Sequence, residues 1–181
     1  MERFLDLEIT CYEDESAHNL LGKIYSALHV ELVERATNDI GVSFPGSTQK
    51  SMGNVLRLHG SQKGLQELLD SHRFRRLTDY YSVAGINRYP DEYTWKIVRR
   101  VQPKMTAAKA RRMVRRGSAS VERAQELFDL GPAKLKVPYL NMNSGSTGQK
   151  YRLYVSHMEC AAPTSAQSFN SFGLGACVPW F

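Results

Sequence analysis

Between Arg111 and Arg116 the chain reads Arg-Arg-x-x-Arg-Arg. At about 100° per residue of an α-helix, Arg111, Arg112, Arg115 and Arg116 share one side. Ala107, Ala110, Met113 and Val114 lie opposite and can pack on the protein. Four guanidiniums on one face repel one another unless an anion lies among them. Their planar forks match phosphate oxygens and the guanine edge. These arginines belong to a longer run. Between Tyr93 and Val121 there are nine basic residues, Lys96, Arg99, Arg100, Lys104, Lys109 and the four already named, and no Asp or Glu. The net charge of +6 resides there, because the rest of the chain carries 15 of the 24 Lys and Arg against all 18 Asp and Glu. A solvated basic face normally intersperses acids. A patch without them is the footprint of a polyanion. Regular A-form RNA has a groove too narrow for side-chain readout, so a basic helix suits a hairpin or distorted duplex whose loop end opens it.

Three further features could carry chemistry. The loop Asn143-Ser-Gly-Ser-Thr-Gly-Gln149 has two glycines that let backbone N–H groups converge on an anion, with hydroxyls from Ser144, Ser146 and Thr147. It lacks the spacing of a P-loop, and an ordinary hairpin connection is the plainer reading. Tyr151 stands between Lys150 and Arg152, an arrangement that suits base stacking as well as cross-strand packing. His29 sits one residue past Leu28, at the edge of an apolar helical stripe. It is either a boundary histidine or a half-exposed general acid or base. The cysteines, Cys11, Cys160 and Cys177, are odd in number and far apart. They indicate neither a disulfide framework nor zinc, and no histidine spacing suggests a metal site.

These residues need elements to hold them. Phe4 to Thr10 alternates as a strand. Leu21, Ile24, Leu28 and Leu32 mark a helix from about Ser16 to Arg35. Strands follow at Ile40–Phe44 and Val55–His59, then a helix at Leu65–Phe74 and a strand at Tyr80–Ile86. This β-α-β-β-α-β order predicts a ferredoxin-like domain over residues 1–90. A smaller domain over 91–181 then carries a strand at Thr94–Gln102 and the arginine-rich helix, capped by Thr106 and stopped by Gly117. A short helix is expected at Val121–Leu130, with strands at Tyr139–Asn143, Gln149–His157 and Phe169–Leu174. The fold class is thus α+β. With 42% hydrophobic and 23% charged residues, 181 residues suffice for a real core. The N-terminus MERFLDLEIT lacks the pattern of a signal peptide, and no apolar run reaches membrane-span length. A soluble intracellular protein is expected.

Taken together, these pieces resemble the CRISPR repeat-cleaving endoribonucleases of the type I-F systems. The resemblance runs nearly end to end. It comprises Leu28-His29, Ile40-Gly-Val-Ser-Phe-Pro45, Arg57-Leu-His59, Arg100-Val-Gln102, Arg111 to Arg116, Ser144-x-Ser-Thr-Gly-Gln149, Tyr151-Arg-Leu153, Phe172-Gly-Leu174 and Val178-Pro-Trp-Phe181. It implies a prokaryotic cytoplasmic enzyme that cuts CRISPR repeat RNA at the base of a stem-loop, using neither metal nor cofactor. It further implies that the enzyme keeps the hairpin and joins the other subunits of a type I-F interference complex, with no membrane partner. By resemblance, His29 is the catalytic histidine and Ser144 holds the attacking ribose. Arg100 and Gln102 read the lower stem, the four helix arginines enter the groove, and Tyr151 stacks on the terminal base pair. Lys104, Ser146, Thr147 and Gln149 complete the RNA-binding set. The family often has a tyrosine where this chain has Phe172, so Phe172 is an active-site support without the family's hydroxyl.

The resulting expectation is transesterification. The ribose 2′-OH attacks the adjacent phosphate and leaves a 2′,3′-cyclic phosphate and a 5′-OH. His29 takes the nucleophile's proton or protonates the leaving oxygen. Two rival readings are an RNA-hairpin-binding subunit that caps the guide RNA without cutting it and a basic duplex-DNA-binding protein.

Overall fold

The computed structural model describes residues 2–11, 15–102, 107–129, 137–143 and 148–181. It is an α+β chain with two four-stranded antiparallel sheets. Two compact units are formed, one from Met1–Val101 with Val137–Phe181, the other from Gln102–Lys136.

In the first unit, alternation along β1 (Arg3–Ile9) turns Leu5, Leu7 and Ile9 inward. Ser16 caps α1 (Ala17–Arg35) by accepting from the Asn19 N–H. The helix buries Leu20, Leu21, Ile24, Tyr25, Leu28 and Leu32. Next come β2 (Gly41–Ser43), β3 (Val55–Gly60), α2 (Gln62–Leu69), α3 (His72–Arg75) and β4 (Tyr81–Arg88). The first sheet runs β2-β3-β1-β4. The second runs β6-β7-β5-β8, built from β5 (Thr94–Val101), β6 (Tyr139–Asn143), β7 (Lys150–Glu159) and β8 (Cys177–Trp180). Helix α1 lies directly on β6. The enabling residue is Gly22, because a Cβ there would collide with the Asn141 carbonyl. The second unit holds α4 (Ala107–Arg115) and α5 (Val121–Asp129), which pack on each other.

Two predicted elements differ. The Leu65–Phe74 helix is two helices, because Ser71 accepts from the Phe74 N–H and starts a new one. Phe169–Leu174 is a turn, and the last strand is β8. Asn170 Oδ1 takes the N–H groups of Phe172 (2.9 Å) and Leu174 (3.2 Å), and Gly173 has φ +69°. That geometry cannot continue a strand. Pro179 is tolerated in β8 because β8 is an edge strand. Cys160 and Cys177, distant in sequence, meet with their thiols hydrogen-bonded. Burial first, then Cys177, pushes the Cys160 thiol up to about 11. The Thr106 cap lies outside the described residues. No helix among the described residues is long and apolar enough to cross a membrane.

A buried polar chain ties the first sheet together. The phenol of Tyr89, held protonated chiefly by burial, donates to the Arg3 carbonyl (2.9 Å). Its oxygen must then accept from His59 Nδ1–H (3.3 Å), so His59 Nε2 accepts from the Ser43 hydroxyl (2.8 Å). Burial, reinforced by Arg57, lowers the His59 pKa to about 3. Arg57 itself forms a fork on Asp6 (2.7 and 2.8 Å), donates to the Phe181 carbonyl (3.1 Å) and lies over the Phe181 ring at 3.8 Å. The chain terminus is thereby anchored on the first sheet.

His157 is similarly held neutral, with a pKa near 4 caused first by burial and then by Lys96. Both depressed imidazoles protonate more readily in the unfolded chain than in the native one. Stability is therefore full above the ordinary histidine pKa of 6.5 and falls as pH drops toward 4 and then 3. Each contributes a slope of about 1.4 kcal/mol per pH unit in that window. Urea unfolding of His59→Gln between pH 6 and 4 is expected to show a shallower pH dependence by about that slope. An unchanged slope would contradict the buried neutral His59.

Candidate active site

His29 lies on α1, half buried, four residues after Tyr25 on the same side of the helix. Its Nδ1 is 2.8 Å from the Ser171 carbonyl oxygen. A carbonyl can only accept, so Nδ1 carries the proton. In neutral imidazole, Nε2 is then a bare lone pair, and it has no hydrogen-bond partner among the described residues. The Phe172 ring lies flat on the imidazole, with centroids 3.8 Å apart and planes within 6°. One contact sets the ring's rotation and the other its face.

The segment bearing both contacts is fixed from several directions. The Tyr25 phenol donates to the Phe172 carbonyl (2.7 Å). Burial raises the Tyr25 pKa well above its usual 10, with Tyr151 adding to the rise and Arg100 opposing it. The Val42 N–H donates to the Gly173 carbonyl (2.9 Å). A Cβ at Gly173 would strike the Val42 side chain, so glycine serves both the positive φ and the close approach.

Arg100, exposed on β5, holds its guanidinium 5.6 Å from the Phe172 ring centroid and 5.9 Å from that of Tyr151 on β7. Thus His29, Phe172, Arg100 and Tyr151, named separately from sequence, come together in one cluster of an imidazole, two aromatic rings and a guanidinium. Tyr151 pairs with Met142 and Lys150 with Asn143, so β6 and β7 are antiparallel neighbours flanking, in sequence, the Ser/Gly loop expected above. Ser144, Ser146 and Thr147 of that loop lie outside the described residues, as does Lys104. Gln149 is exposed just before β7.

The four arginines and Gln102 belong to the second unit. Arg111, Arg112 and Arg115 lie on α4, Arg116 follows it, and all four are exposed. Ala110, Met113 and Val114 are half buried, whereas Ala107 is exposed. Gln102 is exposed immediately after β5.

A family model described as CRISPR-associated protein (Cas_Csy4) matches residues 4–181. The chain belongs to this family. Two curated relatives align over their full lengths and all of this chain. The CRISPR-associated endonuclease Cas6/Csy4 of Escherichia coli (strain UTI89 / UPEC) is 34% identical over 185 residues. The protein of the same name from Pseudomonas aeruginosa (strain UCBPP-PA14) is 30% identical over 187 residues.

Tyr25 and Asn170 escaped the sequence reading. Tyr25 stands four residues before His29, a spacing that puts the two on one helical side. Asn170 with Gly173 is a turn signature that was available in the sequence. The tyrosine's role can be tested alone. Tyr25→Phe leaves the Phe172 carbonyl without its donor and is expected to cost about 1–2 kcal/mol in urea unfolding. A loss of a few tenths or less would show that the bond does not hold the turn.

Proposed function

We infer that this chain is a CRISPR-repeat endoribonuclease, and we propose that it cleaves at the base of a repeat stem-loop by attack of the ribose 2′-OH. The observation carrying this reading is the held imidazole of His29 in a member of the Cas_Csy4 family. The nucleophile comes from the RNA, so the protein's tasks are alignment and proton transfer. The 2′ oxygen attacks phosphorus, the P–O5′ bond breaks, and a 2′,3′-cyclic phosphate and a 5′-OH result. Neutral His29 can accept the 2′-OH proton at Nε2. As imidazolium it can instead donate there to the leaving oxygen. Positioned proton transfer of this kind contributes on the order of 10²–10⁴-fold.

Ser144 orients the attacking ribose in this scheme. Tyr151 stacks on the terminal base pair, Arg100 and Gln102 read the lower stem, and Lys104, Ser146, Thr147 and Gln149 contact the backbone. The proximity of Arg100 to Tyr151 supports a shared role at the stem base. Arg111, Arg112, Arg115 and Arg116 hold the hairpin, a reading supported by their exposure without an acid in the segment. The scheme requires neither metal nor cofactor. Residues 1–90 supply the histidine and 91–181 the RNA-reading groups. The strand order β2-β3-β1-β4 with its helical connections supports a ferredoxin-like first half. After cleavage the protein stays on the guide RNA as a subunit of the interference complex.

The capping-subunit reading has one observation in its favour: Phe172 offers no hydroxyl to the site. The stacked geometry answers it, because a ring without a hydroxyl still orients the imidazole. His29→Ala is expected to abolish cleavage of repeat RNA in EDTA while the hairpin Kd stays within about two-fold. Phe172→Ala should slow cleavage by up to about 10²-fold at unchanged hairpin affinity, since a loosened ring misplaces Nε2. Undiminished cleavage by His29→Ala would overturn the mechanism. Binding without any cleavage by the unaltered protein would favour the capping role.

A further inference from the structure

A groove of about 700 Å³ runs between α1 and the β6–β7 hairpin. One wall is Asn19, Lys23 and Ser26 of α1; the other includes Asn141, Asn143 and Arg152. Lys23, Ser26 and His29 succeed one another at three-residue steps, a single row along the helix surface. Tyr151, already part of the His29 cluster, also lines the groove. The groove and the cluster therefore share Tyr151, whose ring centroid lies 5.9 Å from the Arg100 guanidinium.

Its chemistry is that of a single-strand track. Three asparagine amides offer donors and acceptors to base edges. Lys150 and Arg152 supply positive charge beyond the pair that Lys23 makes with Glu15 at 2.7 Å. Arg152 lies over the Tyr139 ring at 4.5 Å, which holds its guanidinium in place. Lys23 also borders a second concavity of about 610 Å³ lined by His72, Arg73 and Arg76 with no carboxylate in its lining. Arg73 is engaged by Glu31 and Glu34, while Arg76 has no ion pair among the described residues. Basic side chains thus continue beyond Lys23 on this side of α1. Cations along a polar cleft with an aromatic at its mouth fit unpaired nucleotides.

We propose that this groove receives the single-stranded RNA on the 3′ side of the scissile phosphate. The inference rests on the cleavage reading above and adds a subsite to it. The ribose that attacks stays with the stem, so the strand free to enter a groove that meets the His29 cluster at Tyr151 is the one that begins with the leaving oxygen.

The test uses hairpins with a 2′-deoxy sugar at the cut, which bind without being cleaved. One ends at the cut, one carries four unpaired nucleotides on the 3′ side, and one carries four on the 5′ side. For the unaltered full chain at low salt, the 3′ flank is expected to tighten the Kd about ten-fold and the 5′ flank to do little. Lys23→Glu and Asn141→Asp, both at exposed positions, should each erode that gain while leaving the Kd for the blunt hairpin unchanged. Equal affinity with and without the 3′ flank, an equal gain from the 5′ flank, or a gain that survives both substitutions would overturn the proposal. Failure of the unaltered protein to bind any of the three hairpins would instead overturn the cleavage reading, and this subsite with it.

Discussion

The turn from Asn170 to Leu174 is the constraint on which the candidate site depends. It has no regular secondary structure, yet it is bonded on every side. Asn170 closes it from within, Val42 of the first sheet grips it at Gly173, and Tyr25 of α1 grips it at Phe172. In return it presents the Ser171 carbonyl to Nδ1 of His29 and the Phe172 ring to the imidazole face. Removing any of these partners would leave a half-buried polar group unpaired, which costs more than the bond itself contributes.

That arrangement decides the chemistry available to the imidazole. A histidine free to rotate offers either nitrogen in either tautomer. Here the carbonyl assigns the Nδ1 proton, and Nε2 is left as the nitrogen for proton exchange. The Phe172 ring then does through its face what a hydroxyl could do through a hydrogen bond: it restricts orientation. The Phe172 ring of the same turn also faces the Arg100 guanidinium, which in turn lies near Tyr151, so the imidazole and these groups are linked through one ring.

Local features were legible in the sequence and long-range ones were not. The arginine row is a property of six consecutive residues and helical pitch, and α4 carries three of its members. The α1 stripe was equally readable. His29 was a different matter. Spacing marked it only as a boundary residue, because its partner Ser171 lies 142 positions away. The last strand lies later than expected because the Asn170 and Gly173 turn outweighs the alternation near Phe169. Only the topology shows that β8 is an edge, where proline costs no ladder bond. The roles of Phe172 and Tyr25 depend on contacts that no spacing rule contains.

The carbonyl of Ser171 fixes the tautomer of His29. This assignment is tested most directly by ¹⁵N NMR of the imidazole nitrogens at a pH where His29 is neutral. A protonated, pyrrole-type Nδ1 and a pyridine-type Nε2 are expected, with the His29 ring protons shifted upfield by the Phe172 face and released in Phe172→Ala. A neutral ring protonated at Nε2, or rapid averaging between the two tautomers, would contradict it.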